Sequence, residues 1–392
     1  MTKNWSVFPL GELCKLVNGD AYKDSDWSRE GVRIVRIQNL NDHAKPFNCW
    51  AGSLDDRIRI DSGDVLLAWS GTPGTSFGTH LWTRGPAVLN QHIFRVDLDE
   101  GRMLPKWAVL AINQQLAVMI SRAHGGVGLR HVTKREVETL QIPLPPLPEQ
   151  KRIVRILDEA EELRRLRSEA DRRTADLIPA IFYDMFSDPA TNPRKWPRMK
   201  LLDVSRGKPN NGIFRKVEEY GSGLPVIWVE ELFHDLSVDT SASRQLAATA
   251  EDVSKYGLKN GDLLFCRSSL VREGVGRIAF FDGKDNSALF ECHLIRLSPD
   301  KALVVPEYVV TYFRLPFGRK RVMSQSRTAT MTTVGQDDIA GLPLLVPPLP
   351  LQCTFAARVA EVRAMEVEQA QSRRRLDDLF QSLLHGFFAE AN

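Results

Sequence analysis

Two stretches of the chain contain short apolar runs separated by glycine, proline and asparagine. In the first stretch the runs include VRIVRI (32–37), DVLLAW (64–69) and HIFRV (92–96). Apolar runs of this length, bounded by turn-forming residues, predict β-strands. The segment PKWAVLAINQQLAVMISRA (105–123) instead has apolar residues at three- and four-residue spacing, which predicts a helix. Each stretch is therefore predicted to be a mixed α/β lobe.

A longer charged segment follows each lobe. Between Lys151 and Asp176, eight basic and seven acidic residues are interspersed. A heptad-like apolar seam runs through each segment, made of Ile153, Ile156, Ala160 and Leu163 in the first, and of Phe355, Val359, Val362, Leu376, Phe380, Leu383 and Phe387 in the second. Such seams predict two long amphipathic helices, each about 35 residues and roughly 50 Å long, that pair with one another. Pro179 is expected to kink the far end of the first helix.

The proline-leucine phrase before each charged segment reveals an internal repeat. IPLPPLPEQKRI (142–153) and LVPPLPLQCTF (345–355) align at an offset of 202 positions, so that Gln150 matches Gln352. Upstream matches persist at offsets that grow from 191 to 202; they pair 5–13 with 196–204, 60–71 with 258–269, 90–99 with 290–300, and 104–112 with 305–313. A repeat of this length predicts two copies of one structural unit. The predicted organisation is a first lobe (1–147), a first helix (148–187), a second lobe (188–348) and a second helix (349–392).

Composition narrows the class of protein without identifying it. The chain has 392 residues, 43% hydrophobic and 26% charged, and its net charge of +3 is too small to imply a polyanionic partner. No run approaches the ~20 apolar residues of a membrane span, and no export signal is evident, so a cytoplasmic protein is expected. The five cysteines are scattered without a CxxC pair, so neither a disulfide framework nor a metal site is expected.

Motifs for catalysis are also missing from the sequence. The glycine-rich SGTPGTSFG (70–78) lacks the lysine of a P-loop, and GGVGLR (125–130) opens no evident βαβ unit. No Asn-Pro-Pro-aromatic motif of an adenine methyltransferase is present, and FDGK (281–284) has no paired acidic residue to complete a nuclease motif. We therefore expect no catalytic residues and no cofactor bound by this chain.

The order of these motifs resembles the specificity subunit of type I restriction-modification systems across nearly the whole chain. The resemblance rests on a Gly-Asp-hydrophobic strand, a glycine-rich loop, an Asn-Gln-hydrophobic strand, PLPPLPEQKRIV with its long helix, and the central linker (182–204). It implies two similar α/β target recognition lobes, related by duplication and separated by an antiparallel coiled coil of the two helices. The second copy departs from the pattern, since PLPLQCTF and FECH replace PLPEQKRI and LNQH.

The resemblance also implies partners. Each lobe is expected to read one half of a split, asymmetric target in double-stranded DNA, with the coiled coil setting the spacing. Two methyltransferase subunits, which bind S-adenosylmethionine, and two restriction-translocase subunits are the expected protein partners. No membrane partner is expected.

Candidate DNA contacts are the Arg, amide, hydroxyl and Lys side chains near turn-like sequence. Arg and Asn or Gln suit base edges, while Lys and Ser suit phosphates. In the first lobe they are Arg33, Arg36, Gln38, Asn39, Ser70, Thr72, Thr75, Ser76, Arg130 and His131. In the second lobe they are Lys208, Asn210, Asn211, Arg267, Ser268, Arg272, Arg277, Arg319, Lys320 and Arg327.

Other interpretations compete with these. The matched His92 and His293, and the matched Trp5 and Trp196, are better explained by packing than by DNA contact. The charge-balanced helices fit a solvated coiled-coil flank, which could also dock partner subunits together with the Pro-Leu phrase. One alternative function is a two-lobed scaffold that binds protein partners without DNA sequence preference. Another is a free-standing nuclease or methyltransferase, which requires activity in this chain alone.

Overall fold

The computed structural model describes residues 5–72, 75–126, 129–233, 235–328 and 331–388, which form two compact units. The first unit comprises Met1–Arg167 with Ser372–Asn392, and the second comprises Ser168–Gln371. Each unit therefore combines one lobe with segments of both long helices. Within the described residues, no helix is both long and apolar enough to span a membrane.

The described residues of the first unit form thirteen strands and the first five helices. The strands are β1 (Ser6–Pro9), β2 (Cys14–Asn18), β3 (Val32–Val35), β4 (Asn48–Trp50), β5 (Arg59–Ile60), β6 (Val65–Ala68), β7 (Ser70–Gly71), β8 (Gly78–Leu81), β9 (Ala87–Leu89), β10 (Ile93–Leu98), β11 (His124–Gly126), β12 (Leu129–His131) and β13 (Gln141–Leu144). The helices are α1 (Ile37–Asn41), α2 (Pro105–Gln114), α3 (Leu116–Ser121), α4 (Lys134–Glu138) and α5 (Leu147–Ala175), the last of which continues into the second unit.

The second unit begins within α5 and repeats this order. Its strands are β14 (Arg198–Lys200), β15 (Asn210–Asn211), β16 (Tyr220–Ile227), β17 (Gln245–Leu246), β18 (Leu263–Cys266), β19 (Ser268–Ser269), β20 (Ile278–Phe280), β21 (Leu289–Phe290), β22 (Leu294–Leu297), β23 (Arg327–Thr328), β24 (Thr332–Thr333) and β25 (Pro343–Leu345). Its helices are α6 (Leu177–Phe186), α7 (Ala250–Tyr256), α8 (Pro306–Arg314), α9 (Pro316–Ser324), α10 (Gln336–Ala340) and α11 (Leu349–Phe388), the last of which ends in the first unit. Short 3-10 turns occur at Leu10–Glu12, Asp24–Asp26, Asp56–Ile58, Leu201–Val204, Val217–Glu219, Glu230–Leu232 and Arg272–Gly274.

The two lobes share one sheet topology, which confirms the predicted duplication. The central antiparallel sheet has the order β2-β10-β6-β8 in the first lobe and β15-β22-β18-β20 in the second. A parallel pair, β3 with β9 and β16 with β21, and a small sheet, β11-β12-β7 and β23-β24-β19, also recur. The predicted offsets hold, since β6 and β18 start 198 positions apart and α2 and α8 start 201 positions apart.

The matched tryptophans pack against the cores, as predicted. Trp5 meets Trp107 edge-on at 5.7 Å, and Trp107 has no exposed surface. Trp196 packs on the core of the second unit and donates from Nε1 to the Phe186 carbonyl at 3.3 Å. Both residues therefore fasten the start of their lobe to its core.

The long helices form as predicted, with a break near Pro179. Helix α11 is continuous over 40 residues, whereas α5 has 29 residues and gives way to α6 at Asp176. Pro179 is the third residue of α6 and has no N–H to bond the carbonyl four residues earlier, which accounts for the interruption.

The helices run antiparallel within each unit. In the first unit Arg164 Nε donates to Asp377 Oδ1 at 2.7 Å, and the earlier Arg152 lies over the later Phe387 ring at 5.8 Å. In the second unit Gln369 Nε2 donates to Thr174 Oγ1 at 2.9 Å. Thr174 and Gln369 interrupt the apolar seams in the sequence, and in the structure they bond to one another.

A buried glutamine explains why the proline-leucine phrase occurs twice. Gln150 has no exposed surface; its Oε1 accepts from Leu104 N at 2.9 Å, and its Nε2 donates to the carbonyls of Arg102 at 2.7 Å and Pro145 at 2.9 Å. Gln352 makes the matching bonds to Val305, Leu303 and Pro347 at 3.1, 3.1 and 2.8 Å. Each amide joins the phrase to the helix that follows it and to the loop before α2 or α8.

We predict that Gln150→Ala destabilises the chain by about 3 kcal/mol, because one buried and two partly buried backbone groups lose their partner, and each loss at a fully buried group costs about 1–3 kcal/mol. Denaturant unfolding measures the change. The exposed Gln141 is the matched control, and Gln141→Ala should shift stability by no more than about 0.5 kcal/mol. A Gln150→Ala variant as stable as this control would contradict the role of the buried amide.

Candidate nucleic-acid interface

Three segments of the first lobe that the sequence marked as candidates lie together. Strand β12 pairs with β7, which places Arg130 opposite Gly71 and His131 opposite Ser70. The Asn41 side chain at the end of α1 donates to the Thr75 carbonyl. We call the described residues of 36–41, 70–76 and 124–131 the first loop cluster.

The hydroxyls of Ser70 and Ser76 and the pairing of β12 with β7 shape the first loop cluster, while other side chains face solvent. Ser76 Oγ accepts from Thr72 N at 3.1 Å, and Ser70 is 5% exposed, so both serve the loop itself. The exposed candidates of the first loop cluster are Gln38, Thr72, Thr75, Arg130 and His131. Amide, hydroxyl, guanidinium and imidazole groups on one surface can bond both phosphates and base edges.

The remaining first-lobe candidates hold neighbouring loops in place. Arg33 Nη2 donates to the Arg84 carbonyl at 2.5 Å, and the Arg36 guanidinium lies 4.9 Å from the Trp27 ring centre. Asn39 is fully buried; its Nδ2 donates to the carbonyls of Lys45 and Pro46, and its Oδ1 accepts from Arg36 N. The amide of Asn39 is therefore occupied within the lobe.

The second lobe builds a corresponding cluster. Strand β24 pairs with β19 and with β23, which sets Thr333 opposite both Ser268 and Arg327. The Arg267 carbonyl accepts from Val334 N at 2.9 Å, just as the Trp69 carbonyl accepts from Val132 N at 3.1 Å in the first lobe. We call the described residues of 267–277 and 327–333 the second loop cluster.

Three arginines of the second loop cluster face solvent or lie at its edge. Arg267 and Arg272 are exposed, and the Arg327 side chain is 84% exposed with a 3.7 Å ion pair to Asp338. Exposed pairs of this kind contribute little, so Arg327 can exchange Asp338 for a phosphate or base at small cost. The sequence reasoning missed Leu270, which is 84% exposed at the tip of the loop. An apolar tip suits the methyl group of thymine.

Two further arginine candidates, Arg319 and Arg277, make contacts within the protein at the loop 270–277. Arg319 donates from Nη1 to the Val275 carbonyl at 2.7 Å and from Nη2 to the Glu273 carbonyl at 2.8 Å. Burial lowers the pKa of Arg319 from its usual value. The half-buried Arg277 lies 5.4 Å from the Phe233 ring centre. Lys320, next to Arg319 on α9, is exposed.

Lys208, Asn210 and Asn211 lie on or beside the edge strand of the central sheet. Asn210 Oδ1 accepts from Arg296 Nε at 3.0 Å, while Lys208 is exposed. Strand β15 pairs with β22, and its place in the order matches that of β2 in the first lobe. The structure thus assigns these residues to the sheet rather than to the second loop cluster.

The matched histidines have different surroundings. His92 packs edge-on against Trp69 at 5.6 Å, and burial lowers the pKa of His92, which favours the neutral ring. His293 Nδ1 lies 2.5 Å from Ser268 Oγ. The packing interpretation therefore describes His92 well, whereas His293 belongs to a polar group beside the second loop cluster.

That polar group consists of three consecutive residues. Glu291, Cys292 and His293 offer oxygen, sulfur and nitrogen atoms that all lie within 4.8 Å of one another, which makes them the candidate metal ligands among the described residues. The Cys292 thiol donates to Glu291 Oε1 at 2.9 Å, and burial raises the pKa of Cys292 to about 12. The sequence signal was FECH, at the turn where the first half has LNQH.

Known proteins that are similar to this chain are specificity subunits of type I restriction enzymes. A family model described as "Type I restriction modification DNA specificity domain" matches residues 2–170. The chain is 27% identical to the EcoKI specificity subunit of Escherichia coli K12 over 98% of its length and 88% of that protein. It is 21% identical to the EcoBI specificity subunit of Escherichia coli over 97% of its length and 85% of that protein.

Solved structures show the same fold. A chain from a study of complex assembly and conformational transition of the type I R-M system matches with a TM-score of 0.62 and 21% identity, covering 97% of both chains. The S subunit of a type I restriction-modification system from M. genitalium matches with a TM-score of 0.57 and 14% identity, covering 97% of this chain and 95% of that one.

We predict that Arg319→Ala loosens the loop 270–277 and destabilises the chain by about 1–3 kcal/mol, because two carbonyls lose a charged donor. Hydrogen exchange of the loop amides should rise. Lys320→Ala, at the adjacent exposed residue, is the control. It should leave the exchange rates of the loop amides unchanged and should shift the free energy of unfolding by no more than about 0.5 kcal/mol. Equal exchange in the two variants would show that Arg319 does not hold this loop.

Proposed function

We propose that the chain is a specificity subunit of a type I restriction-modification system, because it is similar to such subunits over nearly its whole length. In this proposal it recognises a DNA sequence without itself catalysing a reaction. In this proposal the first loop cluster reads one half of a split target and the second loop cluster reads the other half. The proposal places the chain in the cytoplasm, where the DNA is found.

The observation that carries the proposal is that both lobes build the same small sheet, here called the frame, but place different side chains on its loops. The small sheet, the pairing of β12 with β7 and of β24 with β19, and the bonds at Trp69 and Arg267 recur in both lobes. The side chains on that frame do not recur, since hydroxyls dominate 70–76 whereas Arg267, Leu270 and Arg272 occupy the second loop. Two related frames with different surfaces suit an asymmetric target.

Exposure and chemistry suggest a role for each side chain. Gln38, Arg130, Arg267 and Arg327 suit base edges, because amides and guanidinium groups make bidentate bonds in the major groove. The exposed hydroxyls of 72–75, together with Lys208 and Lys320, suit phosphates. Arg130 and Arg327 lie on different strands of their hairpins, β12 and β23, so the two lobes present their arginines differently.

The same duplication supports the proposed protein partners. Each unit has its own antiparallel helix pair and its own Pro-Leu phrase, so two methyltransferase subunits would meet equivalent surfaces. Exposed apolar residues occur at matching helix positions, with Leu163 at 50% and Met365 at 42%, and Leu177 at 38% and Leu379 at 47%. We assign S-adenosylmethionine to those subunits, cleavage to two restriction-translocase subunits, and the spacing of the half-sites to the long helices.

We predict a two-part methylation motif with a fixed gap when this chain and a cognate methyltransferase subunit are expressed in a methylation-free host. Methylome sequencing identifies the motif directly. A folded, co-purifying complex that leaves the genome unmodified would favour the scaffold alternative. Modification or cleavage by this chain without any partner would instead favour the enzyme alternative.

We predict that Arg130→Ala and Arg327→Ala each weaken discrimination at one half-site by about 1–3 kcal/mol per base contact and leave the other half-site unchanged. Competition binding of the complex to targets altered in one half measures this. Arg155→Ala, an exposed arginine on α5, is the control and should change neither half-site. If both loop variants keep full discrimination, neither arginine reads a base.

A further inference from the structure

We propose that Glu291, Cys292 and His293 form a binding site for a divalent cation of the zinc class, beside the second loop cluster. Their ligand atoms all lie within 4.8 Å of one another. One carboxylate oxygen, one sulfur and one imidazole nitrogen form a donor set that suits zinc, which commonly takes three protein ligands and a water.

Glu291 is a buried carboxylate without a Lys or Arg ion-pair partner among the described residues. It is 4% exposed, and it pairs with His293 Nε2 at 3.8 Å. Its Oε2 accepts from His293 N at 2.8 Å, and its Oε1 accepts from the Cys292 thiol. Burying an ionised carboxylate is costly unless a charge or a metal compensates it. A cation between Oε1, the sulfur and Nε2 would supply that compensation.

A hydrogen bond with Ser268 orients the His293 imidazole. His293 Nδ1 lies 2.5 Å from Ser268 Oγ, and Ser268 is 9% exposed. A metal-binding histidine ordinarily bonds its second ring nitrogen to a fixed polar group, which orients the ring and selects the tautomer. Ser268 serves this purpose here and leaves Nε2 directed toward the Glu291 carboxylate.

The first lobe provides a natural counterpart without the ligands. Its Asn90 bonds β3 through Val35 as Glu291 bonds β16 through Ile227, at 3.1 and 3.0 Å. Asn90, Gln91 and His92 occupy this turn, so the same backbone tolerates amides in place of the carboxylate and the thiol. Binding of the cation would displace the proton of the Cys292 thiol, which passes to solvent. It would also hold the His293 imidazole in place and, through the bond to His293 Nδ1, hold Ser268 within the second loop cluster.

The test uses the full chain, stripped of metal and titrated with Co²⁺ and Zn²⁺ in the absence of DNA. We expect one equivalent of Co²⁺ to bind with a thiolate-to-cobalt charge-transfer band, and Zn²⁺ to displace it. The paired change Glu291→Asn with Cys292→Gln, which installs the residues of the first lobe's turn, should fold and lose the band. Cys353→Ser, at an exposed cysteine, should keep it. No band in the parent chain, or an equal band in the paired variant, would overturn the site.

Ser268→Ala tests the orientation of the imidazole separately. We expect metal affinity to fall by about 10–100-fold, as is typical when the partner of a ligating histidine is removed. Unchanged affinity would contradict the orienting role of Ser268. Because DNA is absent throughout, failure of these tests would overturn the metal site and leave the proposed reading of DNA intact.

Discussion

The hydrogen bonds of one buried amide in each half hold the long helix to its lobe. Gln150 and Gln352 each bond three backbone groups, namely an N–H and a carbonyl in the loop before α2 or α8 and one carbonyl in the proline-leucine phrase. Each glutamine lies near the start of a long helix, so its amide connects that helix with the phrase and with the loop. Since a buried carbonyl or N–H without a partner is costly, each long helix leaves its lobe in a fixed direction. The antiparallel helix pairs depend on that direction.

The C-terminal part of each long helical segment packs into the core of one compact unit: α11 ends in the first unit, and α6, which follows α5, lies in the second. Phe388 stacks on Trp107 at 5.0 Å in the first unit, and Phe182 stacks on Tyr308 at 5.4 Å in the second. Each compact unit therefore contains apolar residues from both halves of the sequence, and neither half holds all the residues of one core. Aromatic burial of this size is a large share of a domain's stability, so the duplicated halves are coupled through their helices.

The sequence predicted the features that rest on periodicity and repetition. The duplication, the two long helices and the interruption near Pro179 all follow from spacing, because helical seams and an internal offset are visible without any contact map. The roles of Asn39, Arg33 and Arg319 could not be predicted in this way. Each bonds backbone carbonyls that are distant in sequence or hidden by a turn, and the residue type alone does not distinguish a loop support from a DNA contact. Those contacts depend on the folded lobe.

Some arginines support the loops and others are exposed, which explains how the same small sheet can carry different surfaces in the two lobes. Arg319 and Arg33 donate hydrogen bonds to backbone carbonyls within their lobes. In contrast, the side chains of Arg130, Arg267 and Arg272 are exposed at the surface. Five donors in a rigid fork suit both tasks, so the same side chain can support a loop or read a base. Substitution of the exposed arginines alters the surface without removing a support, whereas substitution of the half-buried Arg33 or Arg319 alters the loop itself. Under the proposed function, changes in recognition would therefore be least costly at the exposed positions among 70–72, 75–76, 130–131, 267–272 and 327, where the frame does not depend on the side chain.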